Sequence, residues 1–359
     1  MNSSEHNITE SKAVVFLKAL GFPLVLAIAL YLTFQVLWLW DDGYSREVLD
    51  DYYALPGNTV DAVYLGASGA REYYLAAEGF HHSGVAVYTL ATSNEPLIAA
   101  KYLMTEAAKT QQPKVFIIDI RNVTQERFFE GDIRKTTDAM RFSANRLRLI
   151  DRLLADLAQF DPGAEIKKTD YYFSFSTYHS RWEDVTEEDF GVTDVWLGYN
   201  LHTRVKELDK ERCINSDARV PLAAHADASL RELLSFCRET GAEVLFTITP
   251  GYYDETVSGR LYTAADIIRE EGFEIWDMRN DADAFGLDPA QDFRAYDHVN
   301  TFGAIKFTDR FADMLRDRYA LPDRRGQDDY DEWVYAYEGL SEALQTYLEE
   351  QEDEEDEEE

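Results

Sequence analysis

Positive charge is what this 359-residue chain most lacks: 35 Lys and Arg stand against 68 Asp and Glu, a formal net charge of −33. Ten of the acids fall in the last eleven residues, Glu349 to Glu359, and without them the remainder still carries about −23. A surface of that sign repels phosphate backbones, which argues against nucleic acid as a partner. Cysteine is nearly absent. Cys213 and Cys237 form no metal-ligand spacing with any histidine, so no metal is expected, and no cofactor motif stands out. If the domain lies outside the cell the two cysteines could pair as one disulfide; two unlinked buried thiols fit as well. Glycine (19) and proline (9) are also scarce, so most of the chain should fold. Hydrophobic residues make up 45%, enough for a substantial core in one large domain or one with a satellite. No internal repeat is evident.

Charge is missing altogether from Ala19 to Trp40, ALGFPLVLAIALYLTFQVLWLW. At about 1.5 Å per residue this stretch covers about 33 Å, enough for a hydrocarbon core of about 30 Å. Trp38 and Trp40 fall where an interfacial aromatic belt is expected, and Pro23 near the start is tolerable in a membrane helix. Lys12 and Lys18 flank one side, Asp41 and Asp42 the other. The positive-inside rule then leaves residues 1–18 cytoplasmic and exports the rest. No small-x-small cleavage site follows, so the segment is expected to be a retained single-pass anchor in the cell membrane.

After a connector over 41–59, apolar runs alternate with helical spacing. DAVYLGAS (Asp61 to Ser68), VAVYTLA (Val85 to Ala91), KVFIIDI (Lys114 to Ile120), EVLFTIT (Glu243 to Thr249) and FEIWDM (Phe273 to Met278) read as strands. Helices are expected between them, about Arg71 to Gly79, Pro96 to Lys109 and Asp227 to Thr240, with a last one over Phe302 to Arg318. That alternation predicts an α/β domain, a doubly wound parallel sheet with helices on both faces in three layers, over about 60–320. An insertion over about 122–225 contains one clear helix, Ser143 to Phe160, and is expected to cap the carboxyl edge of the sheet. Residues 328–348 read as a C-terminal amphipathic helix, and 349–359 as a disordered acidic tail.

Ligands in such a sheet sit outside the carboxyl ends of the strands. The run G-A-S-G places Ser68 there, with small neighbours that let backbone amides approach a substrate oxygen. A nucleophilic serine needs a base within reach. His298, in the loop Y-D-H-V-N-T-F-G-A before the last helix, returns to the same edge and is the candidate.

These segments resemble the SGNH (GDSL-like) serine hydrolases, especially the membrane-anchored bacterial members of cell-envelope and exopolysaccharide contexts, over about residues 60–320. Gly66-Ala67-Ser68 is similar to the family's opening G-S-S or G-D-S segment. Tyr88-Thr89-Leu90-Ala91 with Glu95-Pro96 is similar to a strand end and Q-P step, and His298, Asn300, Gly303 and Ala304 match a closing H-x-N-x-x-G-A. T-D-A-M-R-F-S-A-N-R and Y-H-S-R-W in the insertion also look like this anchored group. The resemblance implies a flavodoxin-like SGNH hydrolase fold and a third triad member three residues before the histidine, where Ala295 stands instead. Asp297 adjoins His298, and consecutive side chains of an extended loop point apart, which counts against it as the group that orients the ring. Asp297 and Asp292 are the two candidate third members, with the carbonyl of Ala295 as a backbone substitute. Ala91 stands in place of the oxyanion glycine; its N–H, that of Ser68, and the side chains of Asn94 and Asn122 are the candidate oxyanion donors. His179 and Arg181 are candidate substrate contacts, against a structural turn packed on Trp182. Arg134 and Asp138 carry the same ambiguity.

The expected function is acyl transfer, an esterase or O-acyltransferase in which His298 takes the Ser68 proton. The resemblance implies an acylated envelope glycan or teichoic-acid-like polymer as substrate and envelope acyl-transfer machinery as partner. The alternative is a non-catalytic glycan-binding or polysaccharide-assembly protein that keeps the fold; lipase or thioesterase activity on membrane lipids is a third reading.

Overall fold

The structure, a computed structural model, describes residues 12–37, 44–163, 165–185, 195–209 and 218–358. Five strands, β1 Ala62–Gly66, β2 Val87–Ala91, β3 Val115–Asp119, β4 Val244–Ile248 and β5 Glu274–Asp277, form one parallel sheet in the order β2-β1-β3-β4-β5. The first four are buried at every position. Their unbroken apolar runs have that cause, since a strand covered on both faces cannot alternate polar with apolar. Chain order reverses between β1 and β3, so the carboxyl ends of those two neighbours flank the switch point where doubly wound sheets bind ligands.

Helices α1 Lys12–Leu37, α2 Tyr44–Ala54, α3 Ser68–Arg71, α4 Ala76–Ser83, α5 Ala99–Ala107, α6 Glu130–Thr137, α7 Ala144–Phe160, α8 Lys168–Tyr172 and α9 Phe175–Tyr178 precede β4. They are followed by α10 Ala224–Thr240, α11 Glu255–Glu270, α12 Thr301–Tyr319 and α13 Asp331–Glu358. One group packs α4 against α12 and α13; another packs α5 against α7 and α10, and α10 against α11. The α/β architecture is compatible with three layers. A short antiparallel hairpin, β6 Phe293–Ala295 and β7 His298–Val299, precedes α12.

Much of the insertion packs as a unit beside α5 and α1, and one stretch of it reaches the carboxyl edge. Its α7 starts at the Ser143 cap, whose Oγ accepts the Arg146 N–H at 3.3 Å, and buries Leu149, Ile150, Leu153 and Leu154. Arg146 is buried too, donating to the carbonyls of Thr137 (2.7 Å) and Tyr172 (3.1 Å) and so tying α6 and α8 to α7. This unit leans on α5 and on the end of α1. It is the stretch 202–208 that reaches the carboxyl edge, where Thr301 N–H donates to the His202 carbonyl (2.9 Å) and Lys206 N–H to that of Phe293 (2.7 Å).

Among the described residues no helix is long and apolar enough to cross a membrane. The expected span runs past the end of α1 into 38–40, which lie outside the described residues. At the other terminus α13 continues through Glu358, so residues 349–358, expected as a disordered tail, are helical. Burial of Trp333 and Leu340 nucleates the helix, and glutamate is a good helix former that prolongs it. Cys237 is buried and has no bridge among the described residues, and burial pushes its thiol up to about 12. Cys213, and any pairing through it, lies outside the described residues.

Candidate active site

Ser68 opens α3 directly beyond β1, so a strand, a one-residue turn and a helix present its hydroxyl at the carboxyl edge. Two glycines make that turn possible. Gly66 has φ +140°, and a Cβ there would sit 3.0 Å from Cβ of Asp119 on the adjacent strand. A Cβ on Gly69 would overlap the Asp119 carboxylate and the Arg121 guanidinium. Both positions therefore need the missing side chain. As the first residues of α3, Ser68 and Gly69 carry N–H groups with no intrahelical acceptor.

The segment Asp297 to Ala304 positions the base. Asn300 Oδ1 caps α12 by accepting the Gly303 N–H at 3.0 Å, while its Nδ2 donates to the Gln291 carbonyl at 2.6 Å. Asn300 N–H donates to the Asp292 carbonyl (2.9 Å), and a Cβ on Gly303 would strike that same carbonyl oxygen. The H-V-N-T-F-G-A run is thus a cap, a close approach and a buried alanine that fix where the histidine emerges.

There His298 Nε2 lies 2.8 Å from Ser68 Oγ. Its Nδ1 lies 2.7 Å from Asp297 Oδ1. A carboxylate can only accept, so Nδ1 carries the proton and Nε2 is left to accept from the serine. The third group is Asp297, against the expectation that adjacent side chains diverge. Tyr296 and Asp297 are the two-residue turn between β6 and β7, and the alternation of extended backbone does not hold in a turn. Asp292 is instead spent on structure: buried, its Oδ2 accepts from Asp288 N–H and Lys306 Nζ, each at 2.6 Å. The Ala295 carbonyl is likewise not the ring's partner, since Ala295 pairs with His298 across the hairpin.

Burial works against a charge on Asp297, yet the His298 hydrogen bond and Arg121 hold its carboxyl well below the usual carboxylate range. The carboxylate is ionised at neutral pH and stabilises the imidazolium that forms when His298 takes a proton.

The candidate oxyanion donors fare unevenly. Asn94, in the left-handed region at φ +54°, turns its side chain to Asp132. Asn122 Nδ2 donates to the Glu95 carbonyl at 2.6 Å, which leaves the second proton of that amide for a ligand. Ala91 is buried as the last residue of β2, paired with Gly66. His179 and Arg181 lie elsewhere: His179 Nδ1 meets the Ser176 carbonyl (2.7 Å), and Arg181 donates to the Leu37 carbonyl at the end of α1 (2.8 Å). Both sit in a turn beside α1, with Trp182 exposed rather than packed beneath it. Arg134 and Asp138 belong to the insertion's own network, with Arg134 on Glu130 (3.0 Å) and Asp138 accepting from Arg146 (3.4 Å) and Tyr178 (3.2 Å).

Four neighbours escaped the sequence reading. Arg121 donates from Nη1 to the Asp297 carbonyl. Arg294 pairs with Glu72, with Nε at 2.8 Å from Oε2. Burial opposes the Glu72 charge, but His298 and Arg294 hold its carboxyl below its ordinary value. Burial also pushes His202 down to about 4, with Glu72 opposing and Arg294 adding, so His202 is neutral at neutral pH. Arg121 had one visible signal, a charged residue two places beyond the Asp that ends an apolar strand; His202 had none.

No family model matches the sequence, and no curated protein matches it significantly.

Proposed function

We propose that the chain is an SGNH-like serine hydrolase or O-acyltransferase that acts on acyl groups of cell-envelope polysaccharides from the outer face of the membrane. One observation carries the enzyme reading: Ser68, His298 and Asp297 stand in hydrogen-bond sequence, 2.8 and 2.7 Å apart, at the carboxyl edge of the sheet. His298 takes the Ser68 proton as Oγ attacks an ester carbonyl, and the backbone N–H of Ser68 faces the developing oxyanion. His298 returns the proton to the leaving alcohol as the acyl-serine forms, and water or a sugar hydroxyl then takes the acyl group. Asp297 answers the strongest argument for a non-catalytic relative, the alanine at position 295.

The anchor reading rests on α1. Leu24, Val25 and Leu26 are successive and all exposed, as are Leu20, Phe22, Ile28 and Leu32. A helix apolar on every side is covered by lipid or protein, not by water. The glycan substrate rests on the resemblance of the Ser68 and His298 segments to the anchored envelope group. A fluorophosphonate probe tests the enzyme reading. Labelling of the full chain that disappears in Ser68→Ala is expected. A folded wild-type protein that stays unlabelled and releases no acetate from acetylated polysaccharide overturns it. Faster cleavage of lipid esters than of acetylated sugars would move the substrate to the bilayer.

A further inference from the structure

The turn that carries Asp297 has the sequence Tyr-Asp, with neither glycine nor asparagine to hold its shape, so groups outside the hairpin must do so. Two do. The Tyr296 carbonyl accepts the Tyr252 N–H at 2.7 Å, and the Asp297 carbonyl accepts Arg121 Nη1. Arg121 comes from the turn 121–124 just beyond β3, the strand beside β1, and its side chain is buried. Its Nη2 lies 2.6 Å from where a Cβ on Gly69 would stand, with Nε closer still, so the guanidinium runs directly beneath the residue after the nucleophile.

The guanidinium is itself clamped. Its Nε is 3.4 Å from Asp119 Oδ1, an ion pair without hydrogen-bond geometry, and that oxygen accepts the Arg121 backbone N–H at 3.1 Å. Asp119 Oδ2 accepts from Thr249 N–H and Oγ1 at 3.3 and 3.4 Å, and the Tyr73 ring lies 5.2 Å from the guanidinium carbon. A rigid planar fork sets separate nitrogens toward a carboxylate on one edge and a carbonyl on the other; an ammonium is a single compact centre without that spread.

We propose that Arg121 is the positioning residue of this site, a single buried guanidinium that joins the nucleophile turn at Gly69 to the acid–base hairpin at Asp297 and thereby fixes the carboxylate on His298. The inference deepens the serine-hydrolase reading and rests on it for its catalytic meaning, but the hold on His298 is measurable without turnover. The groups that interact with His298 are Ser68, Asp297, Glu72 and His202, with Arg294 paired to Glu72 behind them. Arg121 acts on the ring through Asp297.

The test uses the full chain in detergent, labelled with 15N-histidine, with His298 assigned among the seven histidines by His298→Gln. Wild type is expected to show neutral His298 protonated at Nδ1 and bare at Nε2. Arg121→Gln alone strands the buried Asp119 charge, so Asp119→Asn/Arg121→Gln is the main variant; it removes one charge of each sign and leaves the net field at the ring nearly unchanged. In that variant, with folding checked by near-UV circular dichroism, His298 is expected to shift to the mixed tautomer that Asp297→Ala gives. Arg121→Lys is expected to do the same, because charge without the fork does not suffice. Acylation should fall about 10²-fold with KM little changed, the cost of about an ångström of misplacement. In an Asp297→Ala background the further loss should be under about 3-fold. A folded double variant with the wild-type tautomer, or an equal loss in both backgrounds, overturns the inference. If instead wild type is never labelled at Ser68, the hydrolase reading fails while the tautomer still reports whether Arg121 holds Asp297.

Discussion

Replacing Asp297 by asparagine keeps the shape of the turn and removes only the charge and the acceptor-only character of the group facing Nδ1. An amide can offer its N–H to the ring, so that Nδ1 loses its proton and Nε2 gains one. The base then points a donor at Ser68. Where a fully buried triad aspartate suffers this change the loss is about 10⁴ in kcat. The Asp297 side chain is 46% exposed, whereas that of His298 is 22% exposed. Water can therefore replace part of the lost interaction, and the expected loss is about 10²–10³ in kcat, or about 3–4 kcal/mol at about 1.4 kcal/mol per decade. Initial rates on p-nitrophenyl acetate from pH 5 to 9, with fluorophosphonate labelling as a count of competent sites, measure it. A rate within about 3-fold of wild type in folded Asp297→Asn, with Ser68→Ala inert, would refute the role given to the carboxylate.

Other outcomes follow from the same geometry. Gly69→Ala drives a Cβ into Asp119 and Arg121. It should cost about 1–3 kcal/mol of stability by denaturant unfolding, as overpacking does, and lower kcat with it. His202 has its folded pKa depressed to about 4 by burial, so the unfolded chain binds its proton first as pH falls. The stability it contributes is complete above about pH 6.5 and is lost between about 6.5 and 4. His202→Gln should flatten the stability curve in that window and leave it unchanged above it. Arg181→Ala removes a donor from the end of α1 and touches nothing at Ser68, so ester cleavage by the solubilised chain should stay within about 2-fold of wild type.

Much of the scaffold is legible in the chain because its physics is local. KVFIIDI can only be a strand covered on both sides, and VYLGAS announces a strand that breaks into small residues. The H-V-N-T-F-G-A run is readable as the loop into the last helix because helical apolar spacing begins at Phe302. What is not local was missed. The choice between Asp297 and Asp292 is not legible, because Tyr-Asp has no turn signature and the hairpin between Phe293 and Val299 reads as extended chain. Arg121 meets Asp297 across 176 residues, a contact set by the order of strands, which no local spacing encodes. Arg181 could be read as a structural turn or a substrate contact, and its placement on the Leu37 carbonyl is a long-range contact that no local spacing encodes.

The most direct test is to treat the full-length protein with a fluorophosphonate at pH 7.5 and locate the adduct by peptide mass spectrometry. The account predicts one phosphonylated residue, Ser68, with modification at least about 10²-fold slower in His298→Ala. An adduct on any other serine, or Ser68 modified equally fast without His298, would contradict it.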